Sequence, residues 1–449
     1  MPTRLHLATT LVLAACGSAH HTVDGGHDSA TDTLSPPTAD APPGSVTIEV
    51  TLAGKAVANV PVYFQNMDST LVLGATTDSH GTVGAVLAAG GFVTAIEPDD
   101  GTGITKLATF SGVQPGDALH LDLEATTPPA GTDTVLTVAT YAGATAYNVY
   151  SPCGMVTIGP GGTGEVAFQG CSNMVDLLVV AVDDQNTPLQ AYFKPSVTIG
   201  PAPSDAVGYS ADISAGTPFV PLDMTSFAYS GVPSTVAFVS TTQELWGASG
   251  RLFDQTNGAV PAASAASYTL DQPAANGLLA VTVTDVTPDS STNANQHGEQ
   301  LVYDWGTWSG SYGLDIGTTL LAPYLTDPMY ELETHQLTWT EGTGKTPDFA
   351  RARILVYRDA IPTGTTWQWS IIAPRMLAPK IAFPTLPAET FDFNPMMTDA
   401  LSVSDLTNVR APGGYDGFRA NGFTNFATHA GTQGGTGTIV IEIPFSMPL

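Results

Sequence analysis

Nucleophilic catalysis needs a hydroxyl or thiol, a base to take its proton and a group that orients the base. The sequence has no Gly-x-Ser-x-Gly elbow, no His-Glu-x-x-His pair and no phosphate-cradling glycine loop. His80, His120, His297, His335 and His429 are scattered and adjoin no signature. The chain is therefore read as a non-enzyme. A hydrolase with a site between C-terminal domains stays as an alternative, because convergence in space is invisible in one sequence.

Oxygen-rich loops raise a different chemistry. The stretch Asp289 to Glu299, with Asn293 and Asn295 inside it, could offer a calcium ion several oxygens. Its spacing is not that of an EF-hand, since Gly and Glu miss the required positions. Asp99–Asp100 and Asp183–Asp184 sit at strand ends, where paired carboxylates could share a cation. Solvated turns are the simpler reading of all three. No cofactor is expected beyond this possible calcium.

Aromatic rings are the third candidate. Tyr303, Trp305, Trp308 and Tyr312 crowd a glycine-containing stretch, where exposed rings could stack on sugars. Trp367 and Trp369, followed by Ile371, alternate on one strand face and read as core.

The N-terminus gives an address. Arg4 precedes an apolar run from Leu5 to Ala15, too short to cross a bilayer. It ends Leu13-Ala14-Ala15-Cys16. This junction resembles the lipobox of bacterial lipoproteins. The resemblance implies removal of residues 1–15 and acylation of Cys16 as the mature N-terminus. Gly17, rather than Asp, after that cysteine points by the same resemblance to the outer membrane of a Gram-negative envelope. The leaflet is not legible. Two or more acyl chains give stable anchoring.

Once Cys16 carries lipid, Cys153 and Cys171 remain, in a compartment that permits disulfides. They are expected to pair. Residues 16–44 are rich in Gly, Ser, Thr, Asp and Pro and lack hydrophobic periodicity, so they read as a disordered tether. His20, His21 and His27, with Asp24 and Asp28, could bind metal there, but a solvated tail is the simpler reading.

The elements behind these groups are β-strands. Val46, Ile48, Val50 and Leu52 alternate with Thr47, Glu49 and Thr51; Val60, Val62 and Phe64 alternate likewise, as do Ile439, Ile441 and Ile443. Leu177–Val182 is continuously apolar, as in a strand covered on both faces. Turn signals recur at short intervals among 46 glycines and 34 prolines. Thr398–Val409 is the best helix candidate. The fold class is all-β: several antiparallel, immunoglobulin-like or transthyretin-like β-sandwich domains in tandem behind the tether.

Residues 45–124 resemble the carboxypeptidase regulatory-like domain, a transthyretin-like sandwich. The likeness rests on the strand of Val46–Leu52, the turn at Gly54, the strand Val60–Phe64, the turn Thr77-Asp78-x-x-Gly81, and Gly90–Gly91 before the next strand. It implies an accessory domain without catalytic residues. The remaining segments read as 125–201, a sandwich holding the disulfide, then 202–322 and 323–449, two further β-domains.

Of the 449 residues, 13 are Lys or Arg and 41 are Asp or Glu, a net charge of -28. Phosphate neutralisation needs clustered cations, so a nucleic-acid partner is excluded. The expected partners are the membrane, through the anchor, and an envelope protein or glycan. The sequence thus reads as a lipid-anchored envelope protein that presents sandwiches for interaction or adhesion. A carbohydrate-binding lipoprotein is the alternative.

Overall fold

The computed structural model describes residues 44–52, 55–98, 102–123, 132–168, 171, 174–199, 209–215, 219–248, 250–261, 265–272, 278–288, 299–306, 310–321, 325–359, 364–388, 391–420 and 437–443. The expected signal segment, Cys16 and the expected tether up to residue 43 lie outside them. So do Asp99, Asp100, Asp289, Asn293 and Trp308.

The first sandwich has eight strands: β1 (Gly44–Leu52), β2 (Lys55–Ala56), β3 (Pro61–Gln65), β4 (Leu71–Thr76), β5 (Thr82–Leu87), β6 (Gly91–Ile96), β7 (Ile104–Val113) and β8 (Ala118–Leu123). β1 takes β5 and β2 on one side and, in parallel, β8 on the other. β4, β3, β6 and β7 form the facing layer in that order. The alternation of β1 is real: Val46, Ile48 and Val50 are fully buried against Val62, Phe64 and Val93. Each such side chain contributes about 1.5–3 kcal/mol by burial. Leu52 departs from the pattern and is exposed. The Asp78–Gly81 turn has a clear cause. Asp78 Oδ1 accepts the backbone N–H groups of His80 at 2.8 Å and Thr82 at 3.0 Å. Gly81 has φ +72°, and a Cβ there would lie 2.5 Å from the Val50 carbonyl oxygen.

The second sandwich holds β9 (Thr132–Thr137), β10 (Ala146–Ser151), β11 (Gly154–Ile158), β12 (Thr163–Phe168), β13 (Met174–Val182), β14 (Pro188–Thr198), β15 (Tyr209–Asp212) and β16 (Val220–Pro221). β11-β10-β13-β14-β16 faces β12-β9-β15. β13 lies in the middle of its sheet, and both of its faces are covered. Leu177, Val179 and Ala181 point into the sandwich core; Leu178, Val180 and Val182 pack on Leu245, Leu252 and Phe253 of the third region. Cys153 and Cys171 form a disulfide with Cα atoms 5.5 Å apart, tying the β10–β11 turn to the chain beyond β12. Such a bridge constrains the unfolded chain by about 3 kcal/mol in the loop-entropy account.

The third region contains β17 (Asp223–Ser230), β18 (Val236–Gly247), β19 (Gly250–Pro261), β20 (Ala265–Gln272), β21 (Leu279–Pro288), β22 (Glu299–Gly306), β23 (Ser311–Asp315) and the short helix α1 (Ile316–Thr319). The fourth contains β24 (Leu325–Glu331), β25 (Gln336–Glu341), β26 (Phe349–Arg358), β27 (Thr365–Pro374), β28 (Lys380–Ala382), β29 (Ala400–Arg410), helix α2 (Gly414–Ala420) and β30 (Gly437–Ile443).

One sheet runs through three of the four regions. Its order is β19-β18-β21-β22-β30-β29-β26-β27-β7-β6-β3-β4. The closing strand β30 lies between β22 and β29, so segments 202–322 and 323–449 share a sheet. β27 joins β7 in parallel, which continues the sheet into the first sandwich. Three-stranded sheets cover two stretches of it, β20-β17-β23 over one and β24-β25-β28 over the other. Trp367, Trp369 and Ile371 are fully buried in the second of these layers, with Trp369 Nε1 donating to Thr109 Oγ1 at 2.8 Å.

The expected helix at Thr398–Val409 is corrected. This segment is strand β29, hydrogen-bonded to β26 and β30. The register with β26 slips between Arg353 and Ile354. That bulge brings Val403 and Leu406, three apart, onto one face, while Val409 lies on the other face of a strand covered on both sides; together they imitate a helical spacing.

Candidate functional site

The residues that sequence reasoning singled out do not converge. Trp305 lies near the end of β22 and is 5% exposed, packed in the main core. A Cβ on Gly437, its partner on β30, would lie 2.3 Å from its ring, so the indole covers that backbone directly. Tyr312 is half-buried, its ring 5.9 Å from that of Phe227 and its hydroxyl donating to Asp304 Oδ2 at 3.1 Å. The expected sugar platform of Trp305, Trp308 and Tyr312 is thus corrected at Trp305, whose ring is in the core. Glycines at 306 and 310 suggested an open loop, but strand pairing carries Trp305 inward.

Asp183 and Asp184, offered as carboxylates that could share a cation, lie at the β13–β14 turn. Asp183 Oδ1 accepts the N–H groups of Gln185 at 2.9 Å and Thr187 at 2.8 Å, capping the β13–β14 turn. Those bonds, that of Thr187 first, hold its carboxyl below the ordinary value against the opposing effect of desolvation. Asp184 is exposed. Among the described residues no three His, Cys, Asp or Glu side chains are grouped to hold a metal.

One histidine does meet a hydroxyl and a carboxylate. His120 Nε2 is 3.3 Å from Thr51 Oγ1, and its Nδ1 is 3.4 Å from Glu49 Oε2. The Thr51 hydroxyl, however, donates to Asp122 Oδ1 at 2.7 Å. Its proton is directed away from the imidazole. The group reads as a cross-strand ladder on the outer face of β1 and β8.

The feature that stands out lies at the end of the long sheet. β4 pairs with β3 and with no second strand among those described. Leu71, Val72 and Leu73 are 43%, 40% and 37% exposed. No charged residue occurs from Ser69 to Thr77 in this strongly acidic chain. Proteins normally blunt such an edge with Lys, Pro or a covering segment.

A groove of about 480 Å³ runs beside this strand, lined by Pro61, Tyr63, Gly74, Ala75, Thr76, Ile96, Phe391 and Phe393. Its aromatic wall is held firmly. The Arg358 guanidinium donates to the carbonyls of Asp392 at 2.6 Å and Asn394 at 2.8 Å, and makes a two-pronged pair with Asp399 at 2.8 and 2.7 Å. It also lies 4.9 Å over the Trp367 ring and 5.4 Å over Phe391. Burial works to raise the Asp399 carboxyl, but the Arg358 and Met396 hydrogen bonds hold it below its ordinary value. Gln65 Nε2, at the end of β3, donates to the Thr385 carbonyl at 2.6 Å and ties the segment before Phe391 to the first sandwich. The groove is therefore preformed. Sequence reasoning missed it, because exposure of β4 depends on which strand does not lie beside it.

No protein-family model matches the chain, and no curated protein matches it in sequence. Solved structures align weakly. The Bacillus anthracis TIE protein is 9% identical at a TM-score of 0.16, over 54% of this chain and 45% of that one. The chain thus spans less than half the length of that protein. BcpA, the major pilin subunit of Bacillus cereus, is 10% identical at a TM-score of 0.15, over 61% of this chain and 98% of its own. A streptococcal ancillary pilin is 8% identical at a TM-score of 0.13, over 55% and 91%. Likeness at this level carries no argument about what the chain does.

Proposed function

We propose that the chain is a non-catalytic, lipid-anchored protein of a Gram-negative envelope, and that it binds another polypeptide by strand addition at β4. The observation that carries the reading is the exposed, uncharged edge of Leu71–Thr76 beside a preformed aromatic groove. An added strand would gain main-chain hydrogen bonds from β4, and its alternate side chains would enter the groove. The Phe391 and Phe393 wall suits an apolar side chain there. Acylated Cys16 and the tether of residues 17–43 would hold this edge off the membrane.

The glycan-binding alternative loses support, because Trp305 is core and the Tyr312 hydroxyl is engaged by Asp304. A photo-crosslinking side chain placed at Val72, in cells, tests the proposal. A discrete polypeptide adduct is expected there and not from the same group at Asp254 on β19. Cys16→Ser should release the protein from the membrane and abolish the adduct. Equal or absent adducts at the two positions would refute the edge as the binding element.

A further inference from the structure

A second cleft, of about 370 Å³, opens far along the long sheet from β4. Its floor is apolar and well packed: Val236, Val286 and Leu321 are buried there. Pro233, Pro288 and Leu320 complete the walls. Gln300, also buried, fixes one side by accepting the Leu321 N–H at 2.9 Å. The size falls in the range of small-molecule sites, about 300–1,000 Å³.

The charge at its rim is unexpected. The chain has 41 acidic residues and 13 basic ones, yet the charged side chain lining this cleft is a lysine, Lys345. Its strand segment is fixed by a backbone bridge to Leu321. No carboxylate lies within ion-pair distance of Lys345 among the described residues. A second cation, Arg410, stands behind it, donating to the Thr319 carbonyl. The ammonium of Lys345 is held below its ordinary value, first by burial and then by Arg410, with Asp315 opposing. Arg410 is balanced by Asp348, whose carboxylate also accepts the Ala411 N–H at 2.8 Å, so the charge facing the cleft is that of Lys345. Lys345 thus sets a positive charge at an apolar opening, in a molecule whose overall field repels anions.

We propose that this cleft binds a small apolar molecule with one anionic head, such as a hydrocarbon-tailed carboxylate. The tail lies on Val236, Val286 and Leu321, and the head meets Lys345. A carboxylate there pairs with the Lys345 ammonium and gains a charge-assisted hydrogen bond, while the tail leaves water. The inference is independent of strand addition at β4.

The test is calorimetric titration of the full chain with octanoate and with octanol. Octanoate should bind saturably and more tightly than octanol, and added NaCl should weaken it. Lys345→Gln, at an exposed position, should weaken octanoate on the order of tenfold and leave octanol unchanged. Thr235→Trp, also at an exposed position, should block both by filling the cleft. Circular dichroism of both variants separates lost binding from lost fold. No saturable octanoate binding, or equal affinity for the two probes with Lys345→Gln silent, would overturn the proposal.

Discussion

The two ends of the long sheet are treated in opposite ways. At one end β19 is closed off. Leu252 and Phe253 are buried against Leu178, Val180 and Val182 of the second sandwich, and the Tyr150 and Phe253 rings meet edge to face at 5.1 Å. Arg251 and Asp254 add charge to the strand, and Pro261 ends it without an N–H. At the other end β4 has neither charge nor proline, and three of its apolar side chains are exposed. A sheet this long has the same edge problem twice. Covering it at one end and leaving it open at the other separates a structural edge from the one proposed to bind a strand.

The largest expected effect comes from loosening the closed end. The second sandwich that covers β19 is stapled by Cys153–Cys171. Cys153→Ser should cost about 2–4 kcal/mol in chemical denaturation. Hydrogen exchange should quicken in β13 and β19 and stay unchanged in β4. Equal loosening at both ends would break the distinction.

A smaller, pH-dependent effect follows from where the carboxylates lie. Near the closed half, Asp285 on β21 is pushed up to about 8, by burial first and then by the Glu299 carboxyl beside it. The native state therefore holds a proton that the unfolded chain releases near pH 4. The stability this contributes is complete below about pH 4 and is lost as pH rises to about 8. Near β4 the sign reverses. Asp68 and Asp78 are held below their ordinary values, chiefly by the backbone N–H groups of Thr70 and Thr82. Their contribution is present above about pH 4 and lost as pH falls through the depressed value. Urea midpoints between pH 5 and pH 8 should decline, and Asp285→Asn should flatten that decline. A wild-type midpoint constant over that range would contradict the assignment.

Much of this was legible in the residues. The period of two in β1 and the continuous run of β13 report local burial, and local burial is written locally. The Asp78–Gly81 turn needs an Asp acceptor and a glycine, and both are visible. Cysteine parity gave the disulfide pairing. The rest depends on partners distant in the chain. Trp369 meets Thr109 across 260 residues, and nothing near either residue announces the β7–β27 junction. Trp305 looked like loop because the strand that covers it, β30, is more than a hundred residues away. The openness of β4 is the extreme case, since it is a property of a missing neighbour.

The smallest expected effect on stability is at the open end itself. Leu73→Lys should change the unfolding free energy by less than about 0.5 kcal/mol, because the side chain is already partly in water. The same change places a charge on the edge and should abolish strand addition. A loss of several kcal/mol would mean that β4 is structural after all.

Hydrogen exchange of the full-length chain, compared between native envelope membranes and purified protein, tests the central claim most directly. The account predicts that peptides covering Leu71–Thr76 exchange about tenfold or more slowly in the membranes, where the partner is present. Peptides covering Gly250–Thr256 should exchange alike in both samples, and Leu73→Lys should erase the difference at β4. Identical exchange of Leu71–Thr76 in the two samples would contradict the account.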